Sequence, residues 1–137
     1  MATVLAADGV PHGLTISSFT AVSIRPPLIL ICIDFACQAL EHFRRAAYFA
    51  VNVLADSQRE LAVTFAAKPE ARFEGVVWEP GETGAPLLEG ALATIECRVE
   101  RVMEAGDHAV VFGEVVGAEV HEGQPLLYFN RGYRVLG

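Results

Sequence analysis

The chain has 137 residues, is 53% hydrophobic and carries a formal charge of −7 with a single Lys. That is enough for one packed domain, with no basic stripe for nucleic acid. Cys32, Cys37 and Cys97 lack C-x-x-C spacing, which argues against a disulfide framework or a zinc site and for reduced thiols in a cytoplasm.

In chain order, Thr3–Ala6 reads as a strand, Asp8-Gly9 as a tight turn, and Val10–Phe19 as a returning strand interrupted at Gly13. Ala21–Arg25 is extended and Pro26-Pro27 ends it. Leu28–Asp34 reads as a buried strand, apolar on both faces; its apolar run is far too short to span a bilayer. No charged-then-apolar leader opens the chain, so a cytoplasmic protein without membrane partners is expected. Ala36–Ala47 reads as a helix, with Ala36, Leu40, Phe43 and Ala47 on one stripe and Arg44 and Arg45 in the last turn. Phe49–Leu54 is a strand. Ser57-Gln58-Arg59-Glu60 has capping-box spacing and opens a second helix through Ala66. The stretch from Lys68 to Pro86 is turn-rich. Ala93–Val99 alternates, Ala105–His108 is a hairpin turn, and Ala109–Val120 is a β-branched return. Leu126–Phe129 and Tyr133–Leu136 close the chain around Asn130-Arg131-Gly132.

About seven strands and two short helices, joined mostly by hairpin-length turns, favour a mainly β fold. The expected form is a small antiparallel split barrel of Greek-key type with the helices outside. Neither G-x-G-x-x-G after a strand nor G-x-x-x-x-G-K-[ST] occurs, which argues against a Rossmann site or a P-loop. The hydroxyl-rich Thr15–Ser18 segment stands out. At a sheet rim it offers side-chain hydroxyls and backbone N–H groups, which suits a planar ligand with a polar edge.

The segments Pro11–Phe19, Pro26–Asp34, Phe49–Leu54, Arg72-Phe73, Pro80–Ala91, Gly106–His108 and Tyr128–Tyr133 together resemble the flavin reductase-like family, which has an FMN-binding split barrel. The resemblance implies a homodimer that binds FMN or FAD and reduces it with NADH or NADPH. It also implies diffusive transfer of reduced flavin to a partner monooxygenase. By the same resemblance Thr15, Ser17, Ser18 and Phe19 would meet the isoalloxazine. Asp34, Phe35, Cys37 and Ala39 would form the turn beside the flavin phosphate. Here Cys37 and Ala39 stand where the family commonly has hydroxyls, leaving backbone N–H groups at the helix start as the remaining donors.

The other candidates have two readings each. Arg72 and Phe73 offer a cation and a ring to the flavin, or form an ordinary loop with a buried anchor. Asn52, inside an apolar strand, needs a partner, either a flavin atom or neighbouring backbone. Arg131 and Tyr133 close the pocket, or simply stabilise a terminal hairpin. His108 serves the nicotinamide or the flavin edge by donating one hydrogen bond, or caps its own hairpin. His12, His42 and His121 show no ligand spacing, and Trp78 reads as a packing anchor. No triad, metal cluster or carboxylate pair is required, because the two cofactors carry the chemistry. The competing readings are a flavin- or haem-binding dimer without turnover, and a barrel that has lost its ligand.

Overall fold

The computed structural model describes residues 1–67 and 73–137. Its elements are β1 (Ala2–Leu5), β2 (Pro11–Leu14), β3 (Phe19–Ile24), β4 (Pro27–Asp34), α1 (Leu40–Arg45), β5 (Tyr48–Val53), α2 (Arg59–Ala67), β6 (Trp78–Pro80), β7 (Pro86–Leu88), β8 (Ala93–Ala105), β9 (His108–Val120), β10 (Leu127–Phe129) and β11 (Gly132–Arg134). Seven strands form one antiparallel sheet in the order β2-β1-β5-β8-β9-β4-β3. Two further hairpins, β6-β7 and β10-β11, stand apart from it. The chain is mainly β. Among the described residues no ladder joins β2 to β3, so the sheet is not closed.

Local chemistry explains where the elements depart from the sequence reading. The expected strand Val10–Phe19 leaves the ladder after Leu14, so Thr15–Ser18 is irregular backbone. The expected helix Ala36–Ala47 shrinks to α1. Before it, the Asp34 side chain accepts from Ala36 N at 2.8 Å and its carbonyl accepts from Cys37 N at 2.9 Å, an Asx-type turn that competes with helix. At α2 the backbone N–H of Ala55 donates to Gln58 Oε1 at 3.0 Å, so Gln58 rather than Glu60 supplies the capping acceptor. The turn-rich stretch holds the β6-β7 hairpin, pinned where Thr83 N and Oγ1 both donate to Glu96 Oε1, at 3.0 and 2.6 Å. β8 runs past Val99 because register shifts at Glu96/Cys97 and Val99/Arg101 reset its alternation.

The core lies on one face of the sheet. Ile29, Ile31 and Ile33 of β4 pack with Phe43, Phe49, Cys97 and Val111. Burial, with Glu96 adding to it, pushes the Cys97 thiol up to about 12, so it stays protonated. A second cluster joins Met1, Leu54, Ala62, Phe65 and Leu88, with Phe73, Trp78 and Tyr133 against it. β4 is not buried on both faces as expected. Leu28, Leu30 and Cys32 point outward beside Val110 and Phe112 of β9 and are only half-buried. No helix among the described residues is long and apolar enough to cross a membrane.

Gly113 marks the tightest approach between strands and core. A Cβ there would stand 2.6 Å from Phe49 Cζ and 2.7 Å from Cys97 Cβ. Overpacking of this kind predicts that Gly113→Ala loses about 1–3 kcal/mol of stability, checked by denaturant unfolding; an unchanged midpoint would show that the core gives way easily.

Candidate functional site

A cleft of about 380 Å³ opens beside the irregular Thr15–Ser18 segment. That volume lies in the range of small-molecule sites. One wall is Thr15, Ile16, Ser17 and Phe19; another is Val51 to Leu54 at the end of β5; α2 adds Ala62 and Ala66, and the terminal hairpin adds Tyr128 and Tyr133. Among the described residues no side chain lining it is charged. It is an aromatic and aliphatic slot with a few hydroxyls, suited to a planar ring rather than to a phosphate.

The three hydroxyls of the segment have different fates. Thr15 Oγ1 donates to Ala62 O of α2 at 2.7 Å, which ties the two walls together. Ser18 turns away and bonds β4: its Oγ donates to Cys32 O at 2.8 Å and accepts from Cys32 N at 3.3 Å. Ser17 is exposed and lines the cleft, and among the described residues no protein group engages its hydroxyl. Because the segment has left the ladder, the N–H groups of Ser17 and Ser18 also lack a backbone acceptor. Unpaired donors at a hollow's rim are what a carbonyl-edged ring recognises.

Asn52 is fully buried, and its amide is committed to the protein. Nδ2 donates to Thr3 Oγ1 at 2.9 Å, and Oδ1 accepts from Leu88 N at 2.9 Å. Of its two readings, neighbouring protein groups supply the partners. Phe73 does not line the cleft; its ring meets Phe65 at 4.9 Å and Trp78 at 6.3 Å, both edge-on. Arg72 lies outside the described residues. Arg131 sits with Asn130 at the tip of the terminal hairpin, both at positive φ (59° and 48°), and is exposed. Tyr133 reaches the cleft, tilted against Tyr128 at 5.2 Å with the Arg59 guanidinium 5.8 Å over its ring.

Asp34, Phe35 and His108 form a separate rim. Asp34 pairs with His108 across β4 and β9, and Phe35 N donates to Asp107 O at 3.0 Å. His108 does not line the cleft. Ser18 meets Cys32, two residues before Asp34, so strand spacing puts the serine segment and His108 roughly 12 Å apart across β4. His108 Nδ1 is 2.6 Å from Asp107 Oδ1. The imidazole's hydrogen bond holds the Asp107 carboxyl below its usual range, so that carboxylate only accepts and Nδ1 must carry the proton. In the neutral ring Nε2 is then an acceptor. Nε2 can donate, as expected of His108, only in the charged ring.

The turn keeps two N–H donors for a phosphate, those of Gln38 and Ala39, which have no protein acceptor among the described residues. The N–H groups of Phe35, Ala36, Cys37 and Leu40 already donate to Asp107 O, Asp34 Oδ1, Asp34 O and Cys37 O. Cys37 is half-buried and Ala39 buried. Arg44 is shared between Glu41 and Glu104, each at 3.5 Å.

Sequence reasoning missed the α2 wall. Ala62 and Ala66 are small residues with no chemical signature, and only the return of the helix over Thr15 brings them to the cleft.

The comparisons with known proteins show the family. The flavin reductase like domain matches residues 1–137. The reductase subunit HsaB of a flavin-dependent monooxygenase from Rhodococcus jostii is 39% identical over 92% of this chain; the chain spans 65% of that protein's length. A flavin reductase (NADH) from Kitasatospora aureofaciens is 41% identical over 96% of the chain and 71% of its own length. Among solved structures, the NADH:FAD oxidoreductase SgcE6 of Streptomyces globisporus, in complex with NAD and FAD fragments, superimposes with a TM-score of 0.89. It is 36% identical and covers 99% of this chain and 82% of its own. The chain belongs to the flavin reductase-like family.

Proposed function

We propose that the chain is an NAD(P)H-dependent flavin reductase, moving a hydride from NADH or NADPH to FMN or FAD and releasing the reduced flavin to a partner monooxygenase. The observation that carries this is the aromatic cleft, uncharged among the described residues, with the unpaired Ser17 N–H and hydroxyl at its rim. These groups fit the polar edge of an isoalloxazine, while Phe19, Tyr128 and Tyr133 fit its faces. When bound, the flavin supplies the hydride acceptor. The chain's own contribution is placement: Ser17 donates to the ring edge, the aromatic walls exclude water, and Asp107 fixes the His108 tautomer so that Nε2 accepts from a nicotinamide carboxamide. With four N–H groups of the 35–40 turn consumed, only those of Gln38 and Ala39 remain for a phosphate, so FMN and FAD are gripped mainly by their shared ring, as suits a flavin that must leave.

The finer architecture is a single-domain split barrel that pairs as a homodimer. The half-exposed outer face of Leu30, Cys32, Val110 and Phe112, directly beside His108, supports a second copy covering it. The three free thiols suit a reducing cytoplasm.

The test is steady-state oxidation of NADH and of NADPH with and without added FMN or FAD. Flavin-dependent turnover is expected; flavin binding without it would leave a carrier. With His108→Ala, kcat/KM for the nicotinamide should fall by about tenfold, the worth of one hydrogen bond, with the flavin Kd unchanged. An unaltered nicotinamide KM and kcat would remove His108 from the reaction.

A further inference from the structure

Outside the cleft, two histidines meet face to face between β2 and α1. The rings of His12 and His42 stack with centroids 3.7 Å apart and planes 15° from parallel. Both are half-buried. Neutral imidazoles stack favourably, whereas two imidazolium rings face to face repel. The surroundings supply little compensation. β1 brings no titratable side chain, and the β1–β2 turn brings Asp8. α1 adds a further cation, Arg45, to the hollow that Asp8 and His42 line; β5 adds Tyr48, and the β6-β7 loop only Thr83, Gly84 and Ala85. One carboxylate therefore faces two imidazoles and a guanidinium.

We infer that the His12–His42 stack is a proton-operated clasp between β2 and α1, closed while the rings are neutral and forced apart when both are charged. Burial first, then the facing His42, hold His12 below the ordinary histidine range, with Asp8 opposing them. Its folded value is depressed, so the stability it contributes is present above about pH 6.5 and is lost as the pH falls through that lowered value.

The position gives the clasp a reach. β2 runs straight into Thr15–Ser18, one wall of the cleft, and α1 follows the turn that begins at Asp34. Resting on the reading of that cleft as a flavin site, parting β2 from α1 loosens the segment that carries Ser17. Acid would then release flavin without protonating any residue that touches it.

Two measurements on the full chain separate the clasp from the flavin reading. The first is amide exchange in flavin-free protein at pH 7.5 and 5.5, corrected for intrinsic rates. Protection of the β2 amides should fall by at least about tenfold in the parent and by clearly less in His42→Phe, which keeps a stacking ring that cannot charge and leaves only the burial of His12. His12→Gln carries the same comparison from the other strand, should His42→Phe fold poorly. The second is FMN affinity by fluorescence quenching over the same range, which should weaken in step with exchange in the parent and clearly less in the variants. Equal pH responses of β2 protection in parent and variants would overturn the clasp. Protection that responds while FMN affinity does not would uphold the clasp and remove the flavin from the Thr15–Ser18 wall.

Discussion

Phe49→Ala is expected to lower the unfolding free energy by about 3–5 kcal/mol, the usual loss for a buried phenylalanine. Phe49 is fully buried and meets Phe43 at 6.0 Å in an edge-on pair. Its ring also occupies the space that the missing side chain of Gly113 leaves open. Truncation therefore removes transfer energy, an aromatic contact and a close interstrand fit together. Since domains of this kind hold only about 5–15 kcal/mol in all, the melting temperature should drop by roughly 10–20 °C. The pair makes a sharper test than either site. Gly113→Ala costs stability in the parent, but in a Phe49→Ala background the added methyl enters vacated space and part of its cost should vanish. Strict additivity would show that the two strands relax independently.

The second large effect is functional and should leave the fold alone. Ala66 lines the cleft from the last turn of α2 and is exposed. Ala66→Trp projects an indole over the slot without displacing core atoms. If the ring of the flavin enters this cleft, its Kd should rise by at least about a hundredfold, because a single indole takes up a large share of a small-molecule site. Flavin-dependent NADH oxidation would fall in parallel at fixed flavin and recover only partly at high concentration. The melting temperature is the control. A folded variant with the parent's flavin affinity would move the binding site elsewhere on the molecule.

Most of the sheet was legible from short-range pattern. Asp8-Gly9 and Gly106-Asp107 mark their turns, with Gly9 and Gly106 both at positive φ. The apolar run Leu28–Ile33 marks β4 as a strand, although its uniform apolarity hides that only Ile29, Ile31 and Ile33 face the core. What pattern could not carry was anything fixed at a distance. Asn52 advertised a need for partners, but Thr3 and Leu88 lie 49 and 36 residues away. Register shifts in β8 erase the period that would have shown its true length. The hydroxyls of Thr15, Ser17 and Ser18 were conspicuous in the sequence. Their division of labour depends on α2 and β4 arriving at 2.7 and 2.8 Å. For His108 the neighbouring Asp107 was in plain view, yet only their 2.6 Å contact fixes which nitrogen is left to accept.

The cleft runs along the seam between two hydrophobic nuclei. Val51 belongs to the larger one; Met1, Leu54, Ala62 and Tyr133 belong to or pack on the smaller. Local opening costs least where the packed cluster is smaller, which here is the nucleus of Met1, Leu54, Ala62, Phe65 and Leu88. Admission of a guest then requires only α2 and the closing hairpin to swing, while the seven strands serve as a fixed anvil. A molecule seated there rivets the two halves. It should slow amide exchange in α2 far more than in β4, and a uniform slowing across both would deny the seam any independence.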